Sequence, residues 1–394
     1  MAVDIYNFYE LVSAIFLLIL IVFLSFKIGK ILKLTANEIT LIFCWHSFFA
    51  LIFILVDLTD GIDSKGWYLT SSSKSLEATL FFGNNAMYAI SFILKSLKMK
   101  YIAQNLFYNL LGIITIFIFY AKVKQLCKYE VNKDLFVFCV IILMLPGLSF
   151  WSSGISKDTL SIFAFALMYY SLSDKINIYL LILSFVLLFF ARPFLIFFFF
   201  AGTCLYLFLD TIFSYKKKFK EKLINILIIV ALIIPLLITI NFGFLYMSIA
   251  EVSFENLNLY TDIFKIYETI INFIGRSQSY YAETSLGIPK DTFILYRYFY
   301  FLFAPISLQY NGIFKLIFTL ENLVLLSLFI YMIVNIKFNQ NRISVPIKAF
   351  YLSIFLLFLT LPIIFSNYGI ALRYKWLVVP FILLAFLDLR KKVK

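Results

Sequence analysis

Residues 178–200 read Ile-Tyr-Leu-Leu-Ile-Leu-Ser-Phe-Val-Leu-Leu-Phe-Phe-Ala-Arg-Pro-Phe-Leu-Ile-Phe-Phe-Phe-Phe, and Arg192 carries their single charge. A helix built from this stretch is apolar on every side, so lipid rather than water is the solvent that suits it. Pro193 cannot continue the helix before it, which divides the stretch into two spans, 177–191 and 193–210. At ~1.5 Å per residue the first reaches only ~22 Å, short of a ~30 Å hydrocarbon core. Arg192 is therefore held below the headgroups, where a cation is costly unless it meets water or an anion. Snorkelling to lipid phosphates is the plainer account of it; the short spans favour a polar cavity.

The rest of the chain extends this reading. Of 394 residues, 63% are hydrophobic and 14% charged, with a mean hydropathy of +0.96. A soluble domain needs about a quarter charged residues to cover its surface. Further spans are expected near 9–26, 38–57, 104–121, 134–151, 158–173, 223–246, 313–336, 347–366 and 376–389. The fold class is thus an all-α polytopic membrane protein with about 11 transmembrane helices.

A net charge of +13 would point to nucleic acid in a soluble protein. Here much of the excess lies in short loops, Lys27–Lys33, Lys122–Lys133, Lys216–Lys222, Lys337–Arg342 and Arg390–Lys394, where the positive-inside rule places it, and no nucleic-acid partner is expected. With those loops inside, the N-terminus is outside and the C-terminus inside. Residues 1–10 are slightly acidic and the first apolar run is long enough to span, so no cleavable signal is expected. Cys44, Cys127, Cys139 and Cys204 lie in or beside apolar runs without CxxC spacing, which indicates neither a metal site nor a disulfide framework.

The same orientation gathers the polar loops 57–82, 152–157, Arg192, 247–293 and 367–375 on the outer side. Residues 83–100 and 294–310 are aromatic and amphipathic, and counting either as a crossing would put a basic loop outside. They are expected to lie in the outer interface, with a re-entrant hairpin the alternative for 294–310, where Pro305 interrupts. The expected organisation is one transmembrane domain over 1–394. It carries a first outer loop at 57–103 with an interfacial helix, and a large outer loop at 247–312 with amphipathic helices.

Several outer residues could carry chemistry. The first loop places Asp57, Asp60 and Asp63 at three-residue spacing, a pattern that can bind a metal or supply a general base, or that can be an ordinary solvated turn. Asp57, nearest the bilayer, is the candidate for a perturbed carboxylate. In Pro146-Gly-Leu-Ser-Phe-Trp-Ser-Ser-Gly-Ile-Ser-Lys-Asp158, Pro146 and Gly147 break a helix and Ser156 can cap the next. That helix start favours an anion, Lys157 adds a positive charge, and Asp158 can orient it; a capped turn with an interfacial lysine is the plainer reading. Arg373 and Lys375 precede the last span on the outer side, against the charge rule, and so suit either a phosphate-bearing ligand or anionic headgroups. Arg276 lies in the large loop. Glu321, beside Asn322, is an intramembrane carboxylate and by that alone a functional candidate. His46, inside a span, reads as a buried hydrogen-bonded residue.

Three of these segments together, Pro-x4-Trp-Ser-Ser-Gly-x-x-Lys-Asp at 146–158, Ala-Arg-Pro at 191–193 and Asn-x-Gly-x-Ala-Leu-Arg-x-Lys at 367–375, resemble bacterial membrane proteins of O-antigen and capsule clusters: Wzy-type repeat-unit polymerases and related GT-C class glycosyltransferases. Phe301-Leu-Phe-Ala304-Pro305 followed by Leu320-Glu321-Asn322 is similar to the same group, although Ala304 stands where an arginine is expected. The resemblance implies a GT-C-like fold in the bacterial inner membrane with the active site facing the periplasm. It implies a polyprenyl-diphosphate-linked glycan as substrate, a chain-length regulator protein as partner, and neither cofactor nor metal. An acceptor hydroxyl would attack the donor's anomeric carbon. Asp57 or Asp63, with Glu321 a third candidate, would take the proton, and Lys157, Arg192, Arg276 and Arg373, with Lys375 in support, would stabilise the departing diphosphate. Two other functions compete. One is a GT-C transferase moving a single sugar from a polyprenyl-monophosphate donor, which the acid-rich first loop favours. The other is a lipid-linked glycan transporter, which predicts internal repeats that the chain lacks.

Overall fold

A computed structural model describes residues 8–60, 63–71, 83–127, 133–173, 176–213, 221–232, 293–304, 313–335, 343–364 and 368–390. All the regular structure among them is helical. Six helices, at Val12–Ile31, Ala36–Thr59, Tyr101–Cys127, Pro193–Phe213, Leu316–Val334 and Val345–Pro362, have the length and apolarity of membrane spans. They mark an all-α, multi-pass membrane protein. Side chains such as Phe16, Ile19 and Phe23 stay exposed on the first of them, as a lipid-facing surface would.

The chain divides into two compact units. The first comprises Met1–Pro193, Ile336–Ile347 and Pro380–Lys394, and the second Phe194–Asn335 and Lys348–Val379. One boundary between them, Pro193–Phe194, lies next to the Arg192–Pro193 break.

The first unit holds α1 (Phe8–Ile31), α2 (Ala36–Asp60), α3 (Asp63–Thr70), α4 (Asn84–Ser96), α5 (Tyr101–Cys127), α6 (Lys133–Leu143), α7 (Pro146–Trp151), α8 (Lys157–Ser173) and α9 (Ile178–Ala191). Local chemistry explains several boundaries. Lys33, with φ 61°, ends α1, and Thr35 with Glu38 forms a reciprocal capping box that starts α2. Lys98, with φ 64°, ends α4, and Asn177 Oδ1 caps α9 by accepting from Leu180 N–H.

At the centre runs α5, which packs against α1, α2, α6 and α8. Its apolar window is 72% buried, against 22% for α1, which separates a core helix from a peripheral one. Gly112 makes this possible: a Cβ there would collide with the His46 ring and the Ser152 carbonyl. His46 is fully buried, donates from Nδ1 to Asn109 Oδ1 (2.6 Å) and meets Ser152 Oγ through Nε2 (3.0 Å). It is the internal hydrogen-bonded histidine that its position suggested.

The second unit holds α10 (Pro193–Phe213) from Phe194 onward, helical residues 221–232, α11 (Ile294–Phe303), α12 (Ile313–Val334), α13 (Val345–Ile364) from Lys348 onward, α14 (Tyr368–Tyr374) and a 3-10 turn, Lys375–Leu377. Here α11 packs on α12 and α14. The last helix, α15 (Val379–Arg390), returns to the first unit from Pro380.

Two expected spans take another form. The span over 134–151 is α6 and α7, broken at Met144-Leu145. Leu145 is extended (ψ 139°), the conformation a following proline imposes, and Pro146 opens α7. The span over 376–389 is a 3-10 turn and a 12-residue helix, ~18 Å long. The first outer loop begins as helix, since α2 runs through Asp57 to Asp60, and the expected interfacial helix at 83–100 is α4. Most of the large loop, 247–292, lies outside the described residues.

Candidate functional site

In the first unit, one end of the bundle collects the last turn of α2, all of α3 and α4, the first turns of α5 and α8, and the end of α9. A core of Ile54, Trp67, Met87, Tyr101, Tyr108, Ile155 and Ala191 joins them. Backbone links fix the assembly: Gly83 N–H donates to the Phe190 carbonyl (2.9 Å), and Ile155 N–H donates to Asn105 Oδ1 (3.1 Å). Of the segments that charge topology placed on one side, the start of the first loop, 152–157 and Arg192 lie on these elements; 368–375 belongs to the second unit and 247–292 lies outside the described residues.

Asp57 is fully buried at the end of α2. Its Oδ2 accepts from the Ser64 hydroxyl of α3 and the Tyr101 hydroxyl of α5, while Oδ1 takes no hydrogen bond. One oxygen is held and the other left with its lone pairs, the arrangement an oriented proton acceptor needs. Asp63 is exposed and does not join this pair. Tyr101 packs edge-on against Tyr68, and Lys95 Nζ lies 4.0 Å from the Tyr68 ring centre while donating to the Tyr68 carbonyl (2.5 Å). Burial holds the Lys95 ammonium below its usual pKa.

The start of α8 enters the same core through Ile155 and Leu160. Ser156 Oγ accepts from Thr159 N–H (3.0 Å), the expected cap. Lys157 donates to Asn84 Oδ1 of α4 (2.8 Å) and lies 5.7 Å from the Trp67 ring centre. Asp158 does not orient Lys157 as expected. It forms a buried ion pair with Arg192, Nη2 to Oδ1 at 2.5 Å. Both partners are over nine-tenths buried, so each answers the desolvation of the other. The anion that Arg192 required is therefore part of the chain.

The second unit contains a different cluster. Lys375, fully buried, donates to Asn322 Oδ1 (2.5 Å), lies 3.2 Å from Glu321 Oε1, and has the Trp376 ring centre 5.4 Å away. Burial draws the ammonium below the ordinary lysine pKa and Glu321 draws it back up. A candidate base and a candidate phosphate ligand are here bound to each other. Arg373, on α14, is half-buried, and Arg297, on the buried face of α11, is a cation that sequence reading passed over. Arg276 lies outside the described residues.

Sequence reasoning also passed over Ser64, Trp67, Asn84 and Tyr101. Tyr101 carried a signal: Tyr101, Asn105, Tyr108, Asn109 and Gly112 recur at helical spacing along one face of a span. Comparison with protein-family models, with curated proteins and with solved structures finds no match.

Proposed function

We propose that the chain polymerises polyprenyl-diphosphate-linked oligosaccharide repeat units into surface polysaccharide, O-antigen or capsule, at the outer face of a bacterial cytoplasmic membrane. The observation that carries this reading is Asp57, with Oδ2 held by Ser64 and Tyr101 and Oδ1 without a donor. In this mechanism the acceptor sugar's hydroxyl attacks the donor's anomeric carbon. The C–O bond to the lipid diphosphate breaks as the new glycosidic bond forms, and Asp57 Oδ1 receives the hydroxyl proton. Because Ser64 lies on the buried carboxylate, this step requires α3 to be displaced as the acceptor enters. Burial keeps water from competing with the acceptor, which a transferase requires.

Within the first unit the departing diphosphate takes stabilising charge from Lys157, at the dipole-positive start of α8; within the second, Arg373 is the cation read as a phosphate ligand. Arg192, paired with Asp158, contributes to the shape of the α8 start rather than a free charge. No nucleotide donor is required, which suits a site outside the cytoplasm.

The test is reconstitution. Purified protein in lipid nanodiscs, supplied with isolated lipid-linked repeat units, is expected to produce a ladder of extended chains. Addition of one sugar from a polyprenyl-monophosphate donor would instead identify a single-sugar transferase. Transfer of the intact lipid-linked glycan across the bilayer, without a new bond, would identify a transporter.

A further inference from the structure

We infer that Glu321 and Asn322 are positioning residues: with Lys375 they form an internal anchor that fixes the turn carrying Arg373, and none of the three touches substrate. The inference rests on the reading of Arg373 as a phosphate ligand.

Three observations converge on it. First, the cluster is closed. The Lys375 and Glu321 side chains are 1% and 0% exposed, and the ammonium is filled by Asn322 Oδ1, Glu321 Oε1 and the face of Trp376. A phosphate ligand must reach the phosphate, and a general base must be basic enough to take a proton, which a carboxylate paired to an ammonium is not. Neither condition is met here.

Second, the anchored segment cannot hold itself. α14 has seven residues, too few to be stable as a helix alone, and a three-residue 3-10 turn follows it, closed by Val378 N–H on the Lys375 carbonyl (3.0 Å). Its orientation comes from what it is tied to: the packing of α11 on α14, Lys375 on α12, and Tyr374, whose ring stacks on Phe194 of α10 (6.5 Å, 21°).

Third, the spacing converts the tie into an aim. Arg373 lies in the last turn of α14 and Lys375 opens the 3-10 turn, so at ~100–120° per residue their side chains leave the backbone ~200–240° apart. With Lys375 drawn into α12, Arg373 is directed to the opposite side of the turn. The lysine is spent inside so that the arginine two residues earlier has one fixed direction.

A double-mutant cycle decides it, using the full chain in nanodiscs and isolated lipid-linked repeat units. Glu321→Gln leaves the Lys375 ammonium without its counterion, and Lys375→Met leaves the Glu321 carboxylate without its cation. Each single variant is expected to raise KM for the repeat unit by about tenfold or more and to lower the melting temperature. The double variant Glu321→Gln with Lys375→Met, a neutral pair of similar volume, is expected to recover KM to within about threefold of wild type. A direct role for either residue predicts the reverse, a double variant at least as impaired as the worse single one, and that result overturns the inference.

If the single variants fail to insert, the double variant decides alone: folded and elongating supports the anchor, folded and inactive overturns it. If it too fails, Asn322→Ala decides: a raised KM with unchanged kcat supports the anchor, and wild-type kinetics overturn it. Arg373→Ala is measured alongside. Normal elongation by that variant would refute the phosphate role of Arg373, while the melting-temperature cycle would still report whether the anchor exists.

Discussion

Two buried ion pairs, one in each unit, look alike on paper and differ in what surrounds them. Arg192–Asp158 joins the end of α9 to the first turn of α8, and its neighbour in sequence, Lys157, is only partly buried and reaches Asn84. Lys375–Glu321 has no such neighbour within the pair: Asn322 and Trp376 close over it, and both charges are sealed. Each pair cancels charges that sequence reading had assigned to the substrate. In the first unit Lys157 stays outside the pair and reaches Asn84, and Asp57 is held by Ser64 and Tyr101; in the second Arg373 stays outside the pair, half-buried on α14. A charged residue in a membrane helix is a functional candidate by default, and its partner decides whether the function is chemistry or placement.

This contrast can be broken or sharpened by mutation. The largest effect is expected from Asp158→Asn, which strands Arg192 without its counterion in a buried site and costs ~3–5 kcal/mol of stability, read by thermal unfolding in nanodiscs. A loss no larger than a surface pair shows, ~0–1 kcal/mol, would mean the site is wet and the burial argument wrong. Next is Tyr101→Phe, which removes one of the two hydroxyl donors to Asp57 and is expected to lower kcat by about tenfold with little change in melting temperature. A variant that loses stability but keeps its kcat would reduce the Tyr101–Asp57 bond to packing. Gly112→Ala forces a methyl against the His46 ring and the Ser152 carbonyl and is expected to cost ~1–3 kcal/mol. The smallest effect is expected from Asp63→Asn, an exposed position, where elongation stays within about twofold. A large loss there would return Asp63 to the list of candidate bases.

Much of the helical layout was legible because apolar length in lipid is a strong signal, and the Arg192–Pro193 break, the Ser156 cap and the helix at 84–96 were read from residues whose backbone chemistry is local. What stayed hidden was tertiary. The division of 134–151 turned on Leu145 adopting the extended form before Pro146, a choice made between two residues inside an otherwise uniform apolar run. The form of the last span was hidden likewise: 376–389 is apolar enough for a span, yet Val378 interrupts it and leaves a helix of 12 residues. At the site, charge topology placed Asp57, Lys157 and Arg192 on one side, and the elements that carry them share one buried core. Their pairing was not legible, because Asp158 had two cations within reach, one adjacent and one 34 residues away, and only packing selects between them. The same holds for Lys375 and Glu321, 54 positions apart, each of which looked available when read alone.

The central claim is that of three candidate carboxylates Asp57 does the chemistry, while Glu321 holds structure and Asp63 does neither. The most direct measurement is the chain-extension rate of Asp57→Asn beside that of the double variant Glu321→Gln with Lys375→Met, each at saturating lipid-linked repeat unit. The account predicts a fall of about a hundredfold or more for Asp57→Asn with repeat-unit binding retained, and a rate near wild type for the double variant. Long chains made at the normal rate by Asp57→Asn, with none made by a folded double variant, would contradict it.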